Sequence, residues 1–140
     1  MAIKFLDLKA QYLSIKNEID ESILNTIEKS SFIKGEDVKN FEKNFANIIG
    51  VKHCISVANG TDSLFIIMKM LNIGVGDEVI TSSYSWISSS ETISLTGAKP
   101  IFIDIEEDYY TIDTKLIESK ITSKTKAIVA VHIQGQSCNI

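Results

Sequence analysis

Short apolar runs rich in β-branched residues alternate with helix-like segments along the second part of this chain. The predicted strands are 54–58, 78–81, 100–104 and 125–131, and the predicted helices between them are 62–72, 83–96 and 112–120. Strands that are apolar on both faces and alternate with helices are typical of a parallel sheet covered on both sides. The sequence therefore predicts an α/β fold with a mostly parallel sheet flanked by helices.

Two amphipathic helices are predicted ahead of this alternating region. The first runs from about 10 to 29, and its apolar stripe is Tyr12, Ile15, Ile19, Ile23 and Ile27. A loop at 30–35 separates it from a second helix that ends near Gly50. We expect residues 1–50 to form a helical segment and residues 51–140 to form a βαβ core.

The composition narrows the class of function. The net charge of −4 leaves no electrostatic footprint for nucleic acid, and all 14 basic residues are lysines. The two cysteines and two histidines lack metal-ligand spacing, so we expect no metal site. Neither a signal-peptide core nor an apolar run of the ~20 residues that span a membrane is present, so we expect a cytoplasmic protein without membrane contact.

The turn at 59–62, Asn-Gly-Thr-Asp, lies between a predicted strand and a predicted helix. The first N–H groups of a helix lack partners within the helix, and the helix dipole favours negative charge there. Gly60 would let a ligand approach the backbone, and Thr61 adds a hydroxyl. An ordinary helix cap explains the same residues, so the pattern by itself leaves capping and phosphate binding open.

The only tryptophan follows the second predicted strand, at Trp86. It is either partly buried beneath a loop or a flat platform for an aromatic ligand. Ligands of parallel sheets lie at the carboxyl ends of the strands, which places 59–62, 82–86, Asp104 and 132–136 along one edge. A phosphate turn beside an aromatic platform suggests an aromatic phosphate such as pyridoxal phosphate.

The whole chain resembles the N-terminal part of the DegT/DnrJ/EryC1/StrS family of nucleotide-sugar aminotransferases. The most specific matches are FLDL at 5–8, IKGE at 33–36, NGTDSL at 59–64, GVGDEVI at 74–80 and VHIQGQ at 131–136. Further matches lie at 41–42, 50–52, 97–100, 112–113 and 125–128. The matches keep consistent spacing and extend over essentially all 140 residues.

The resemblance implies the large domain of the aspartate-aminotransferase-like fold (fold type I) and a homodimer that uses pyridoxal 5′-phosphate. It implies transfer of an amino group, from glutamate, to a nucleotide-linked keto sugar in cell-surface polysaccharide or amino-sugar biosynthesis. By position, Gly60, Thr61 and Asp62 would receive the cofactor phosphate and Trp86 would stack on the pyridine ring. Tyr84, with the loop at 32–34, would face the sugar nucleotide.

In that family the Schiff-base lysine and the aspartate that pairs with the pyridine nitrogen come later than residue 140. The resemblance thus implies no catalytic lysine within this sequence, an incomplete large domain, and a 140-residue chain that is inactive alone. The predicted strand at 125–131 has no covering helix after it, which agrees with that expectation. The alternative is a non-catalytic interaction module that retains the fold; a Rossmann-like oxidoreductase is disfavoured because G-x-G-x-x-G is absent.

Overall fold

The computed structural model describes residues 5–140, and these form two compact units divided between Ser56 and Val57. The predicted segment 1–50 begins before this range, so its residues 1–4 lie outside the described part. None of the described helices is long and apolar enough to cross a membrane.

The first unit contains three helices: α1 (Leu8–Ser14), α2 (Lys16–Glu28) and α3 (Glu36–Ile49). The prediction of a single helix over 10–29 is wrong, because the helix is interrupted at Ile15, whose φ of −123° and ψ of 16° are not helical. The Ser14 hydroxyl donates to the Gln11 carbonyl (2.7 Å), a local bond that competes with helical pairing. Helix α3 ends at Gly50 as predicted, where φ of 75° is the left-handed conformation that glycine adopts without strain.

The strand predicted over 54–58 is also absent from the described structure. The Ser56 N–H donates to the Glu42 carboxylate (2.7 Å) rather than to a neighbouring strand. A β-branched run favours an extended backbone, but a strand also needs a second strand to pair with. Among the described residues, no strand pairs with this run.

The second unit contains α4 (Gly60–Met70), β1 (Glu78–Ser82), α5 (Ser88–Leu95), β2 (Lys99–Ile103) and β3 (Thr125–Val129). The three strands form a parallel sheet in the order β2-β1-β3. On the central strand, Val79 packs in an apolar cluster with Met68 and Ile93, which come from α4 and α5. Its neighbour Ile80 packs in a second cluster with Ile103 and Ile112. Because successive side chains of a strand point to opposite faces, the central strand β1 is covered on both of its faces. The parallel α/β architecture is therefore confirmed.

Three element boundaries in this unit differ from the sequence-based predictions. Helix α5 begins at Ser88 rather than 83, because the Ser83 N–H still bonds to the strand carbonyl of Ile103 (2.8 Å). The predicted helix at 112–120 consists of two 3₁₀ turns, although Asp113 does cap the first of them (3.0 Å to the Lys115 N–H). Strand β3 ends at Val129 and alternates half-buried with exposed residues, so the prediction of a fully buried strand at 125–131 is wrong.

Candidate ligand-binding cleft

An open cleft of about 450 Å³ lies at the carboxyl ends of β1 and β3. Three chain segments that are far apart in sequence line it. The first segment is the start of α4, the second is the turn before α5 with the first residues of that helix, and the third is the end of β3 with the residues after it. The lining residues are Gly60, Thr61, Leu64, Trp86, Ser88, Ser89 and 129–132. Its volume falls within the range of ~300–1,000 Å³ that is usual for small-molecule sites. The structure thus brings together residues from three of the four segments that the sequence placed on one edge of the sheet, 59–62, 82–86 and 132–136, whereas Asp104 does not line the cleft.

Asn59 caps helix α4. Its Oδ1 accepts a hydrogen bond from the Asp62 N–H (2.9 Å), and its Nδ2 donates to the Asp62 carboxylate (3.2 Å). The cap therefore uses the third N–H of the helix. The N–H groups of Gly60 and Thr61, and the Thr61 hydroxyl, have no hydrogen-bond partner within residues 5–140. The capping and phosphate interpretations are compatible, because they use different N–H groups of the same turn.

Gly60 leaves open space above the backbone at this turn. A Cβ built on Gly60 would meet no atom within 4 Å. Its φ is not in the left-handed region, so neither the backbone conformation nor packing requires glycine here. The open space leaves room for a ligand beside this turn, whose two free N–H groups carry the positive end of the helix dipole.

Trp86 is 76% exposed, so it is not buried beneath a loop of the described chain. The Ser89 N–H donates to the Trp86 carbonyl (3.1 Å), which ties the tryptophan backbone to the first turn of α5. An exposed indole at the mouth of a cleft offers an aromatic face for stacking.

Two of the predicted site residues lie outside the cleft lining. The Asp62 carboxylate is exposed and pairs with Asn59. Tyr84 is half exposed, and its ring packs at a tilt against Tyr110 with the centroids 6.3 Å apart. The structure therefore groups Gly60, Thr61 and Trp86, and it does not bring Tyr84 to the same cleft.

The sequence placed His132 on the ligand edge of the sheet, within 132–136, but assigned it no role in the site. It follows β3 at the edge where ligands of parallel sheets lie, which was the available signal. Its Nδ1 accepts a hydrogen bond from the Cys138 N–H (3.1 Å). That contact joins residues six positions apart, through a turn in which Gln134 and Gly135 have positive φ. The residue types alone do not indicate this turn.

The fold is a parallel α/β domain in which a helix N-terminus and an exposed tryptophan line one cleft. The chain belongs to the DegT/DnrJ/EryC1/StrS aminotransferase family, whose sequence model matches residues 13–140. The resemblance read from the sequence is therefore confirmed.

Individual relatives agree with the family assignment. The chain is 43% identical, over 134 residues, to the UDP-2-acetamido-2-deoxy-3-oxo-D-glucuronate aminotransferase of Pseudomonas aeruginosa; the match covers 96% of this chain and 37% of that protein. It superposes on DesV of Streptomyces venezuelae with a TM-score of 0.94 at 36% identity, covering 98% of this chain and 37% of DesV. A more distant structure, the GDP-4-keto-6-deoxy-D-mannose-3-dehydratase of E. coli with bound hydrated PLP, gives a TM-score of 0.75 at 27% identity and covers 82% of this chain and 31% of that one.

These superpositions confirm the aminotransferase-type fold expected from the sequence. The chain spans 37% of the length of the P. aeruginosa relative and 37% of the length of DesV.

Proposed function

We propose that this chain contributes the phosphate-binding and ring-stacking part of the cofactor site of a pyridoxal-phosphate-dependent aminotransferase that acts on a nucleotide-linked keto sugar. The observation that carries the proposal is the pair of unpartnered N–H groups at the start of α4, which line one cleft with an exposed tryptophan. The P. aeruginosa relative is named for an aminotransferase of a UDP-linked 3-oxo sugar, which supports the substrate class.

The residues present fit the cofactor. Gly60 and Thr61 would donate their N–H groups to the phosphate, with the Thr61 hydroxyl as a third donor. Asp62 would take part by closing the cap with Asn59, which holds the turn in place. Trp86 would stack on the pyridine ring and keep water from one of its faces. The cofactor, when bound, supplies an electron sink for chemistry at the amino-bearing carbon.

The substrate side of the proposal rests on the exposed aromatic residues beyond β1. Tyr84 would contact the sugar nucleotide, with its ring supported by Tyr110. The proposed amino donor is glutamate, and the proposed setting is cytoplasmic biosynthesis of amino sugars for cell-surface polysaccharide. We also propose a homodimer; the apolar stripe of α2, which includes the half-exposed Ile23 and Ile27, is a surface suited to being covered in such an assembly.

The test uses pyridoxamine 5′-phosphate as the probe. It has no aldehyde, so it cannot react adventitiously with the chain's 14 lysines. Binding is followed by quenching of the fluorescence of Trp86, the only tryptophan. We expect saturable quenching that inorganic phosphate competes away.

The substitution Gly60→Ala should weaken binding by about tenfold or more, because a Cβ would enter the space above the two N–H groups and hinder charge-assisted bonds worth ~1.5–3 kcal/mol. Gly74→Ala is the matched control: that glycine is outside the cleft, has no positive φ, and its added Cβ would make only an ordinary 3.6 Å contact. A wild-type protein without saturable binding would contradict the proposal and favour the interaction module. Equal binding by wild type and Gly60→Ala would show that the phosphate does not bind at the start of α4.

A further inference from the structure

His132 is held by the residues that follow it in the chain. The Cys138 N–H donates to its Nδ1 (3.1 Å), and the Cys138 thiol donates to the Val131 carbonyl (3.1 Å). The Gly135 N–H returns to the His132 carbonyl (3.1 Å), which closes the intervening turn. Cys138 itself packs against the apolar cluster of Ile80, so it is anchored in the core of the unit. The imidazole is therefore fixed from the side opposite to its free nitrogen.

These contacts determine which nitrogen of the imidazole carries the proton. A nitrogen that accepts an N–H bond must present its lone pair, so Nδ1 cannot be the protonated nitrogen of the neutral ring. The proton is then on Nε2, which becomes a donor. Nε2 has no hydrogen-bond partner within residues 5–140, and His132 lines the cleft that also contains Gly60 and Trp86.

We infer that His132 donates a hydrogen bond from Nε2 to an oxygen of the anionic aromatic ligand that the cleft holds, and that Cys138 is the residue that positions it. The identity of the ligand rests on the proposed function; the tautomer does not. Of the groups lining the cleft, only the imidazole is an ionisable side chain. His132 is exposed, so its free donor is accessible to a ligand that enters the cleft from solvent.

The tautomer can be measured without any ligand. Long-range ¹H–¹⁵N correlation spectra distinguish the protonated nitrogen of a neutral imidazole from the unprotonated one. The chain has two histidines, so the variant His53→Asn leaves His132 as the only imidazole and assigns the signals directly. We expect Nε2 to be protonated and Nδ1 to be unprotonated at a pH where the ring is neutral. A protonated Nδ1, or rapid averaging between both tautomers, would overturn the inference.

Two substitutions separate the positioning contact from the donor. In His132→Asn the amide oxygen takes the place of Nδ1 and can keep the Cys138 bond, but the donor is lost. In His132→Gln the amide nitrogen reaches the place of Nε2 and keeps the donor. We expect pyridoxamine 5′-phosphate to bind about tenfold more weakly to His132→Asn, and within about threefold of wild type to His132→Gln. His53→Asn is the matched control and should bind as wild type does.

The outcomes distinguish this inference from the proposed function. Binding by wild type that is unchanged in His132→Asn would overturn the role of His132 and leave the proposed function standing. A wild type that does not bind the probe would overturn both. Far-UV circular dichroism of both variants shows whether they remain folded.

Discussion

The cap of helix α4 can be separated experimentally from the proposed phosphate site that shares its turn. The substitution Asn59→Ala removes the acceptor of the Asp62 N–H and the exposed bond from Nδ2 to the Asp62 carboxylate. Loss of a side-chain cap costs about 1 kcal/mol, within a range of ~0.5–2. The second bond is exposed to solvent and adds little to this. For a chain of 140 residues the loss corresponds to a decrease in Tm of about 3–5 °C.

Ligand affinity should respond differently from stability. The N–H groups of Gly60 and Thr61 do not take part in the cap, so Asn59→Ala leaves both donors in place. It also frees the Asp62 N–H, which an oxyanion at the helix start can use. We therefore expect the affinity for pyridoxamine 5′-phosphate to stay within about threefold of wild type. Gly60→Ala should show the opposite pattern, with weaker binding and a stability that is unchanged or raised by up to about 1 kcal/mol, because its Cβ contacts no protein atom and alanine restricts the unfolded chain.

Urea denaturation followed by circular dichroism gives the stability, and hydrogen exchange of amides 60–70 shows whether the loss is local to α4. Asn59→Ser is the matched control, since serine caps helices about as well as asparagine. If Asn59→Ala kept full stability but lost binding, Asn59 would be a ligand contact and not a cap. Equal losses of stability in the alanine and serine variants would likewise refute the cap.

Two further predictions concern packing and pH. Ile93→Ala, in the cluster shared by α4 and α5, should lower the free energy of unfolding by about 3 kcal/mol. The control Ile67→Ala, at a residue of α4 that is 51% exposed, should lower it by less than about 1 kcal/mol. Similar losses for both variants in urea titrations would contradict the assigned core. In the first unit, hydrogen bonds from Lys16, and then from Tyr12, hold the pKa of Asp20 below its ordinary value of 3.8. The stabilisation of α2 by this carboxylate is therefore present above about pH 4 and is lost as the pH falls through the lowered value, and Asp20→Asn should abolish that step in an acid titration followed by circular dichroism.

Local sequence signals predicted the elements whose partners are near in the chain. Helix α4 and its start at the 59–62 turn follow from residues within a few positions of one another, as does the end of α3 at Gly50. The strands β1 and β2 were also located to within one residue or two. Their β-branched content and their position between helices sufficed because their pairing partners are present in the described sheet.

The wrong predictions share a cause. In each case, contacts that cannot be seen in the local sequence pattern determine the backbone conformation. The run at 54–58 has strand composition, yet its Ser56 N–H bonds to Glu42, a residue of the preceding helix. The break at Ile15 leaves the apolar spacing intact, so periodicity could not reveal it. The role of His132 depends on Cys138, and the turn that joins them uses a positive φ at Gln134, a residue type that does not signal it.

The geometry of the cleft depends on the core at both faces of the sheet. The start of α4 is placed by packing on the face that contains Val79, because Leu64 and Met68 of that helix join this cluster. His132 is placed from the other face, because Cys138 packs with Ile80 and reaches back to the imidazole. Adjacent residues of one strand thus support the proposed phosphate turn and the proposed donor from opposite faces of the sheet. A ligand that contacts both would couple the two clusters, so its binding should protect amides of α4 and of β3 from exchange together.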